Sequence, residues 1–237
     1  MRKRIRIPFS DQVYSEEYVP LNGSGLIVSE AARRMLTGYE AARLERICNM
    51  KRSDRGYHRI SGRLGVKVHD LCGDENMAKQ FVWMAKMHSI LKPHAPSVLS
   101  MVYSDGKKKG HDVVQGYLIG HIPGKQMETL GGVASDRALK ALVARAVRVI
   151  NRFHAVNTPH GDYHSQNIMR DRLNTWVIDA RPWARRSISG LKSEDAEMFS
   201  RDVLGDTNLG KDDLRDIVRK NASHEVAKVF MEQIDMA

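Results

Sequence analysis

The segment from His160 to Met169 holds the side chains of this sequence that are best suited to chemistry. Asp162 lies within it, Asn167 follows five positions later, and a short apolar run further along the chain ends in Asp179. A carboxylate can accept a proton from a reacting hydroxyl group, and carboxylate and amide oxygens are ligands that Mg²⁺ binds. A lone His-Gly-Asp would be weak evidence, but the three residues in this order predict a metal-dependent reaction at a hydroxyl group.

A strand lysine and a helix precede this segment. Residues 63–69 alternate between apolar and polar side chains, which predicts a strand half-buried on one face, with Lys67 near its centre. Residues 75–91 carry apolar side chains at helical spacing and predict a helix. Glu75 lies in the first turn of that helix and Gln80 lies further along, so either side chain could approach Lys67.

Two more strands and a long helix complete the pattern. Residues 97–103 and 111–119 predict strands, and the lysine triplet 107–109 lies in the polar turn between them. Such a triplet is typical of a solvated loop, with a docking contact for an acidic partner as the alternative. An amphipathic helix then begins at Ser135 and runs to His154, just before the chemical segment.

The N-terminal part of the chain matches no motif of known chemistry. Residues 1–28 mix short apolar stretches with two prolines and a Gly-Ser-Gly turn, which predicts an extended arm with a loop. That turn lacks the lysine of a P-loop, so we interpret it as an ordinary turn. Ser29 is a suitable N-cap for a helix that extends to Ala42, and residues 43–69 are typical of short strands joined by tight turns.

Composition and charge limit the class of protein. Hydrophobic residues make up 42% and charged residues 28%, as in an ordinary soluble globular protein, and no apolar run is long enough to span a membrane. The basic N-terminus lacks the apolar core of a secretory signal, and Cys48 and Cys72 are too few for a disulfide framework. The net charge of +10 favours polyanionic partners, with general surface charge as the alternative.

Several segments resemble the protein-kinase-like superfamily, and in particular the RIO atypical kinases. These segments are 65–69, 79–84, 160–168, 178–182 and 196–203. The His-Gly-Asp-x-His-x-x-Asn loop is also similar to that of aminoglycoside phosphotransferases and lipopolysaccharide sugar kinases, and minimal bacterial effector kinases share a truncated plan. The resemblance implies an α+β, two-lobed kinase-like fold with a small β-rich N-lobe. Because 58 residues, 180–237, follow Asp179, it also implies a truncated helical C-lobe.

The resemblance implies a role for each candidate residue, with ATP and Mg²⁺ as cofactors. Asp162 would orient the acceptor hydroxyl and take its proton, while Asn167 and Asp179 would hold the metal. Lys67 would contact the phosphates of ATP. The other nucleotide-binding candidates are Gln80, the hinge residues Gly120, His121 and Ile122, and two weak candidates for a glycine-rich loop, Gly62 and Gly65.

The sequence departs from the kinase pattern at three positions. Gln80 stands where a glutamate would pair with Lys67, and a glutamine cannot neutralise a lysine. Ala180-Arg181 replaces the usual Phe-Gly after the metal aspartate. Gly161 replaces the arginine that precedes the catalytic aspartate in kinases switched by phosphorylation, which favours a site that is always assembled.

We therefore expect an N-terminal arm and helix over residues 1–45, a kinase N-lobe over 46–120 and a minimal C-lobe over 121–237. The predicted function is ATP-dependent phosphoryl transfer, in first place by a minimal Ser/Thr protein kinase acting on a protein substrate, with an acidic substrate as one option. The alternatives are a small-molecule kinase, a RIO-like ATPase bound to RNA or the ribosome, and a pseudokinase interaction module. The expected location is the cytoplasm, or a host cell reached without a cleavable signal peptide.

Overall fold

The computed structural model describes residues 2–21, 24–50, 56–68, 74–92, 94–104, 113–122, 124–127, 135–170 and 174–237. The chain divides into two compact units, one made of residues 1–85 and 96–122 and the other of residues 86–95 and 123–237. Strands dominate the first unit and helices the second, so the expected α+β class is confirmed. The lysine triplet 107–109 and Cys72 lie outside the described residues.

The first unit contains an antiparallel sheet of seven strands within the described residues. The strands are β1 (Arg2–Arg6), β2 (Val13–Pro20), β3 (Leu26–Ser29), β4 (Tyr57–Arg59), β5 (Leu64–Val68), β6 (Val98–Ser104) and β7 (Val113–Gly120). Their order in space is β1-β2-β3-β6-β7-β5-β4. The strand that carries Lys67, β5, therefore pairs with β4 on one side and β7 on the other.

Helices cover both faces of this sheet. Helices α1 (Glu30–Met35) and α2 (Gly38–Cys48) contribute to the core on one face, and α3 (Asp74–Ile90) contributes to the core on the other. Because side chains alternate along a strand, β3, β6 and β7 each supply both cores. The first core includes Ala32, Leu44, Ile47, Leu64, Val66, Val68 and Leu118. The second includes Tyr18, Met77, Phe81, Val82, Met101, Tyr103, Tyr117 and Ile119.

The single helix predicted from Ser29 to Ala42 is in fact two helices. Ser29 caps α1 as expected, since its hydroxyl accepts a hydrogen bond from the Ala32 N–H. The chain then leaves the helical conformation, and Thr37 starts α2 with a capping box in which Thr37 and Glu40 bond reciprocally. The prediction of strands from residue 43 was wrong, because α2 continues to Cys48.

The second unit contains four helices and a small sheet within its described residues. The sheet pairs β8 (Lys125–Gln126), β9 (Ile168–Arg170) and β10 (Thr175–Val177), with β9 in the middle. The helices are α4 (Asp136–Ala155), α5 (Ile188–Asp206), α6 (Lys211–Asn221) and α7 (His224–Met236), with α5 packed on α7 and α4 on α6. Among the described helices, none is long and apolar enough to cross a membrane.

One ion pair ties α2 to the β4–β5 turn and makes stability depend on pH. Arg63 donates to both oxygens of the buried Glu40 carboxylate, over 3.1 and 2.8 Å, and lowers the pKa of Glu40 to about 2. A pKa lower in the folded than in the unfolded state means that the carboxylate stabilises the fold above about pH 4.5. That contribution is lost as the pH falls towards about 2.

Glu40→Gln should therefore destabilise the protein most at neutral pH. We expect its difference from wild type in the free energy of unfolding to be full at pH 7 and to shrink between about pH 4.5 and about pH 2. Urea unfolding followed by circular dichroism at pH 7, 4 and 2.5 measures this difference. Glu45→Gln, on the same helix, is the control and should change little. A difference that is constant over this pH range would contradict the assignment.

Candidate active site

The backbone before Asp162 is held by a buried carboxylate of α5. Asp195 is completely buried, and its two oxygens accept hydrogen bonds from the N–H groups of His160 and Gly161 over 2.8 and 2.7 Å. The ring nitrogen Nε2 of His154, at the end of α4, lies 2.9 Å from the same carboxylate. Three partners thus satisfy the charge and fix the loop to α5 and α4.

A second aspartate of α5 holds the other end of the loop. Asp202 accepts hydrogen bonds from both the N–H and the hydroxyl of Ser165, each over 2.9 Å. Asp195 and Asp202 are seven positions apart, so they lie on the same face of the helix. We did not predict either residue as part of the site. The signal was present, since two aspartates two turns apart interrupt an otherwise apolar helix face that includes Leu191 and Phe199.

The backbone that enters the loop at His160 lies very close to the segment around Asp179. His160 donates from Nε2 to the carbonyl of Ile178 over 2.7 Å, and the Arg181 N–H donates to the carbonyl of His160 over 2.9 Å. Burial lowers the pKa of His160, so its imidazole is neutral. Gly161 has a φ of +77°, and a Cβ there would lie 2.4 Å from the Arg181 carbonyl oxygen. Glycine at this position is thus required by sterics.

Asn167 is oriented by Asp162. The amide nitrogen of Asn167 lies 3.0 and 3.1 Å from the backbone carbonyl and the carboxylate of Asp162, to which it donates, and 2.9 Å from Nε2 of His164. The amide oxygen therefore points away from Asp162. The carbonyl of Asn167 also accepts a hydrogen bond from the Ile178 N–H over 3.0 Å, and Asp179 is the next residue. The structure thus joins the side chain of Asn167 to Asp162 and places the backbone that leads into Asp179 beside Asn167.

His164 and Arg181 set the charge of Asp162. Burial alone would raise the pKa of this carboxyl, but His164 and the Arg181 guanidinium outweigh burial and keep the pKa below its usual value. Arg181 Nη1 lies 3.2 Å from one oxygen, and His164 Nε2 lies 3.7 Å from the other, which is an ion-pair distance rather than a hydrogen bond. Asp162 is therefore ionised at neutral pH. The contact with Arg181 was not predicted.

The metal candidates fit Mg²⁺. Asp179 has a φ of +61°, which is uncommon for a residue other than glycine and is found at functional sites. The amide oxygen of Asn167 and the carboxylate of Asp179 are hard oxygen ligands, and Mg²⁺ commonly takes one or two carboxylates together with substrate phosphates. In the described part of the chain, no group of three or more His, Cys, Asp or Glu side chains is arranged to hold a metal ion.

In the first unit, Lys67 shares a face of the sheet with its candidate partner. Lys67 pairs directly with Tyr117 of β7, so the two side chains lie on the same face. The Tyr117 hydroxyl donates to the buried amide oxygen of Gln80 on α3 over 3.1 Å. Glu75, the alternative partner, forms an ion pair with Lys79 over 2.6 Å on the exposed surface. Gln80 is therefore the helix residue directed at the sheet face that carries Lys67.

The remaining candidates lie beside this strand. Gly62 is in the turn between β4 and β5, and Gly65 is in β5 itself. The N–H of Gly120 donates to the Ser97 carbonyl over 2.7 Å, and the N–H of His121 donates to the Arg63 carbonyl over 2.9 Å. The candidates thus form two groups, one in each unit.

Two solved structures are similar to this chain. The Neurospora crassa PAN3 pseudokinase mutant has a TM-score of 0.43 and 13% identity, over 72% of this chain and 48% of that one. The Legionella pneumophila LegK7 effector kinase has a TM-score of 0.33 and 12% identity, over 59% of this chain and 34% of that one. This chain therefore spans about half the length of the first and a third of the second.

No protein-family model and no curated protein matches the chain.

Replacing Asp195 should both destabilise the protein and release the loop. Asp195→Ala leaves two buried loop N–H groups and His154 without their acceptor, so we expect the free energy of unfolding to fall by about 3–5 kcal/mol. Urea denaturation measures this loss. Glu197→Ala, which removes an exposed carboxylate from the same helix, should cost no more than about 0.5 kcal/mol. Equal effects of the two substitutions would contradict the bracing role of Asp195.

Proposed function

We propose that the protein is an ATP-dependent phosphotransferase that transfers the γ-phosphoryl group to a hydroxyl acceptor, in first place a serine or threonine of a protein. The orientation of Asn167 is the observation that carries this proposal. Its amide nitrogen is bound to Asp162 and its oxygen is left for a cation, next to a carboxylate, Asp179, in an unusual backbone conformation. This arrangement would combine a proton acceptor and one metal ligand in the loop with a second metal ligand, Asp179, that follows β10.

Asp162 would receive the acceptor hydroxyl. Its carboxylate is ionised because His164 and Arg181 hold its pKa down, so it can accept a hydrogen bond from the hydroxyl and then its proton. Its position is fixed by the bonds that Asp195 makes with the two preceding residues. Such positioning makes the hydroxyl attack from one direction only.

Asn167 and Asp179 would hold Mg²⁺, which when bound screens the charge of the nucleotide phosphates. Lys67 would supply a further positive charge to the phosphates from the first unit. Gln80 can donate or accept hydrogen bonds near this face but adds no negative charge.

Loss of either carboxylate should abolish transfer. Because each acts on charge that develops in the reaction, we expect Asp162→Ala and Asp179→Ala each to lower the transfer rate by at least about 100-fold. Transfer of label from γ-labelled ATP, first to the protein itself and then to bacterial and eukaryotic lysates, measures this rate. Glu197→Ala is the control and should retain the wild-type rate. Wild-type rates in both aspartate variants would refute the proposal.

A nucleotide-binding pseudokinase is the second candidate, and Gln80 is the observation that favours it. A kinase of the usual type pairs its strand lysine with a glutamate, and Gln80 cannot form this ion pair. The same experiment separates the two functions, because a pseudokinase would bind ATP without transferring label. No observation on the described residues favours the RNA or ribosome partner. A small-molecule acceptor and a location in the cytoplasm or a host cell stay predictions.

A further inference from the structure

A tyrosine and a histidine form one flat surface beside the nucleotide candidates of the first unit. The hydroxyl of Tyr57, on β4, lies 2.6 Å from Nδ1 of His121, which follows β7. The two ring planes differ by only 12°, with centroids 6.2 Å apart. Rings that are nearly parallel and joined edge to edge by a hydrogen bond form a continuous plate, which we call the Tyr57–His121 plate.

This plate lies on the sheet face that carries Lys67. Tyr57 pairs directly with Lys67, and Gly65 is two residues before Lys67, so all three share one face. A Cβ at Gly65 would lie 2.5 Å from the Tyr57 ring. The ring therefore rests directly on the β5 backbone, at a position that only glycine leaves open.

The outer face of the plate is accessible. Tyr57 is 43% exposed although its inner face packs on Gly65. Partial burial raises the pKa of Tyr57 and lowers the pKa of His121, so at neutral pH the pair is an uncharged phenol bonded to an uncharged imidazole. An exposed, uncharged aromatic surface is suited to stacking with another planar ring.

The backbone N–H groups that could donate to the edge of a base are largely occupied. Of the three hinge candidates, Gly120 and His121 already donate their N–H groups to the carbonyls of Ser97 and Arg63. The N–H of Ile122 remains as the donor of this segment. Discrimination between two purines requires a matched set of donors and acceptors, whereas stacking is available to any base.

We infer that the nucleotide base binds by stacking on the outer face of the Tyr57–His121 plate, and that the site consequently accepts adenine and guanine nucleotides with similar affinity. This inference rests on the proposed nucleotide-dependent function. It assigns base binding mainly to an aromatic surface, with hydrogen bonding from the hinge as a minor contribution.

Isothermal titration of the full chain with ATP and with GTP, each with Mg²⁺, tests the inference without measuring catalysis. We expect the two dissociation constants to differ by less than about tenfold, since one backbone donor remains to distinguish the bases. Tyr57→Ala should weaken both nucleotides by about tenfold or more and by the same factor, because it removes the stacking surface. Tyr57→Phe keeps the ring and should remain within about threefold of wild type.

Two further variants test whether a loss of nucleotide binding comes from the Tyr57–His121 plate or from a general effect on the protein. Gly65→Ala should weaken both nucleotides as Tyr57→Ala does, because the added methyl group displaces the ring from β5. This variant keeps Tyr57 and its edge strand unchanged in sequence. Tyr39→Ala, which removes another exposed tyrosine from the same unit, should have no effect.

Several outcomes would overturn the inference. One is a preference for either nucleotide of more than about tenfold. The others are unchanged binding in Tyr57→Ala, or tighter binding in that variant, which would show that Tyr57 blocks the base site. Wild-type protein that binds neither nucleotide would overturn this inference and the proposed function together. Nucleotide binding that depends on Tyr57, without transfer of label, would refute only the proposed transferase.

Discussion

The buried carboxylate of Asp195 is the interaction on which the geometry of the candidate site depends. A charge removed from water is tolerated only when donors surround it, and here the donors are the N–H groups of His160 and Gly161 and the ring of His154. Two of the three belong to the backbone of the loop. The hydrogen bonds that compensate the buried charge therefore also fix the position of the next residue, Asp162. Stability and site geometry are coupled through one side chain.

Two opposing effects then set the protonation state of Asp162. Burial favours the neutral acid, while Arg181 and His164 favour the carboxylate and prevail. The arginine comes from the segment after Asp179, in the place where a kinase of the usual type has glycine. Asp162 thus has no arginine directly before it in the chain but pairs with Arg181, two residues after Asp179. This contact is present without any modification of the chain.

The register of the seven-stranded sheet determines which candidate side chains of the first unit share a face. Pairing of β5 with β4 and β7 places Tyr57, Gly65, Lys67 and Tyr117 on one face. On that face Tyr117 contacts Gln80, and the Tyr57 ring covers Gly65. A shift of the register by one residue would send these side chains to the opposite face, into the core formed with α1 and α2. The sheet pairing is therefore as important for this surface as the residue types.

The sequence by itself determined the α+β class, most of the helices and strands, and the cluster of Asp162, Asn167 and Asp179. Those features depend on periodicity and on spacing within one loop and the strand that follows, which are local. The break between α1 and α2 was not predicted, although the sequence carries a signal for it, because Thr37 and Glu40 have the spacing of a capping box. Only the tertiary structure decided that Asp195 holds the loop, that Arg181 pairs with Asp162 and that Tyr57 covers Gly65. The physical reason is that each contact joins separate elements through packing and register, and neither composition nor periodicity encodes which distant residues will meet.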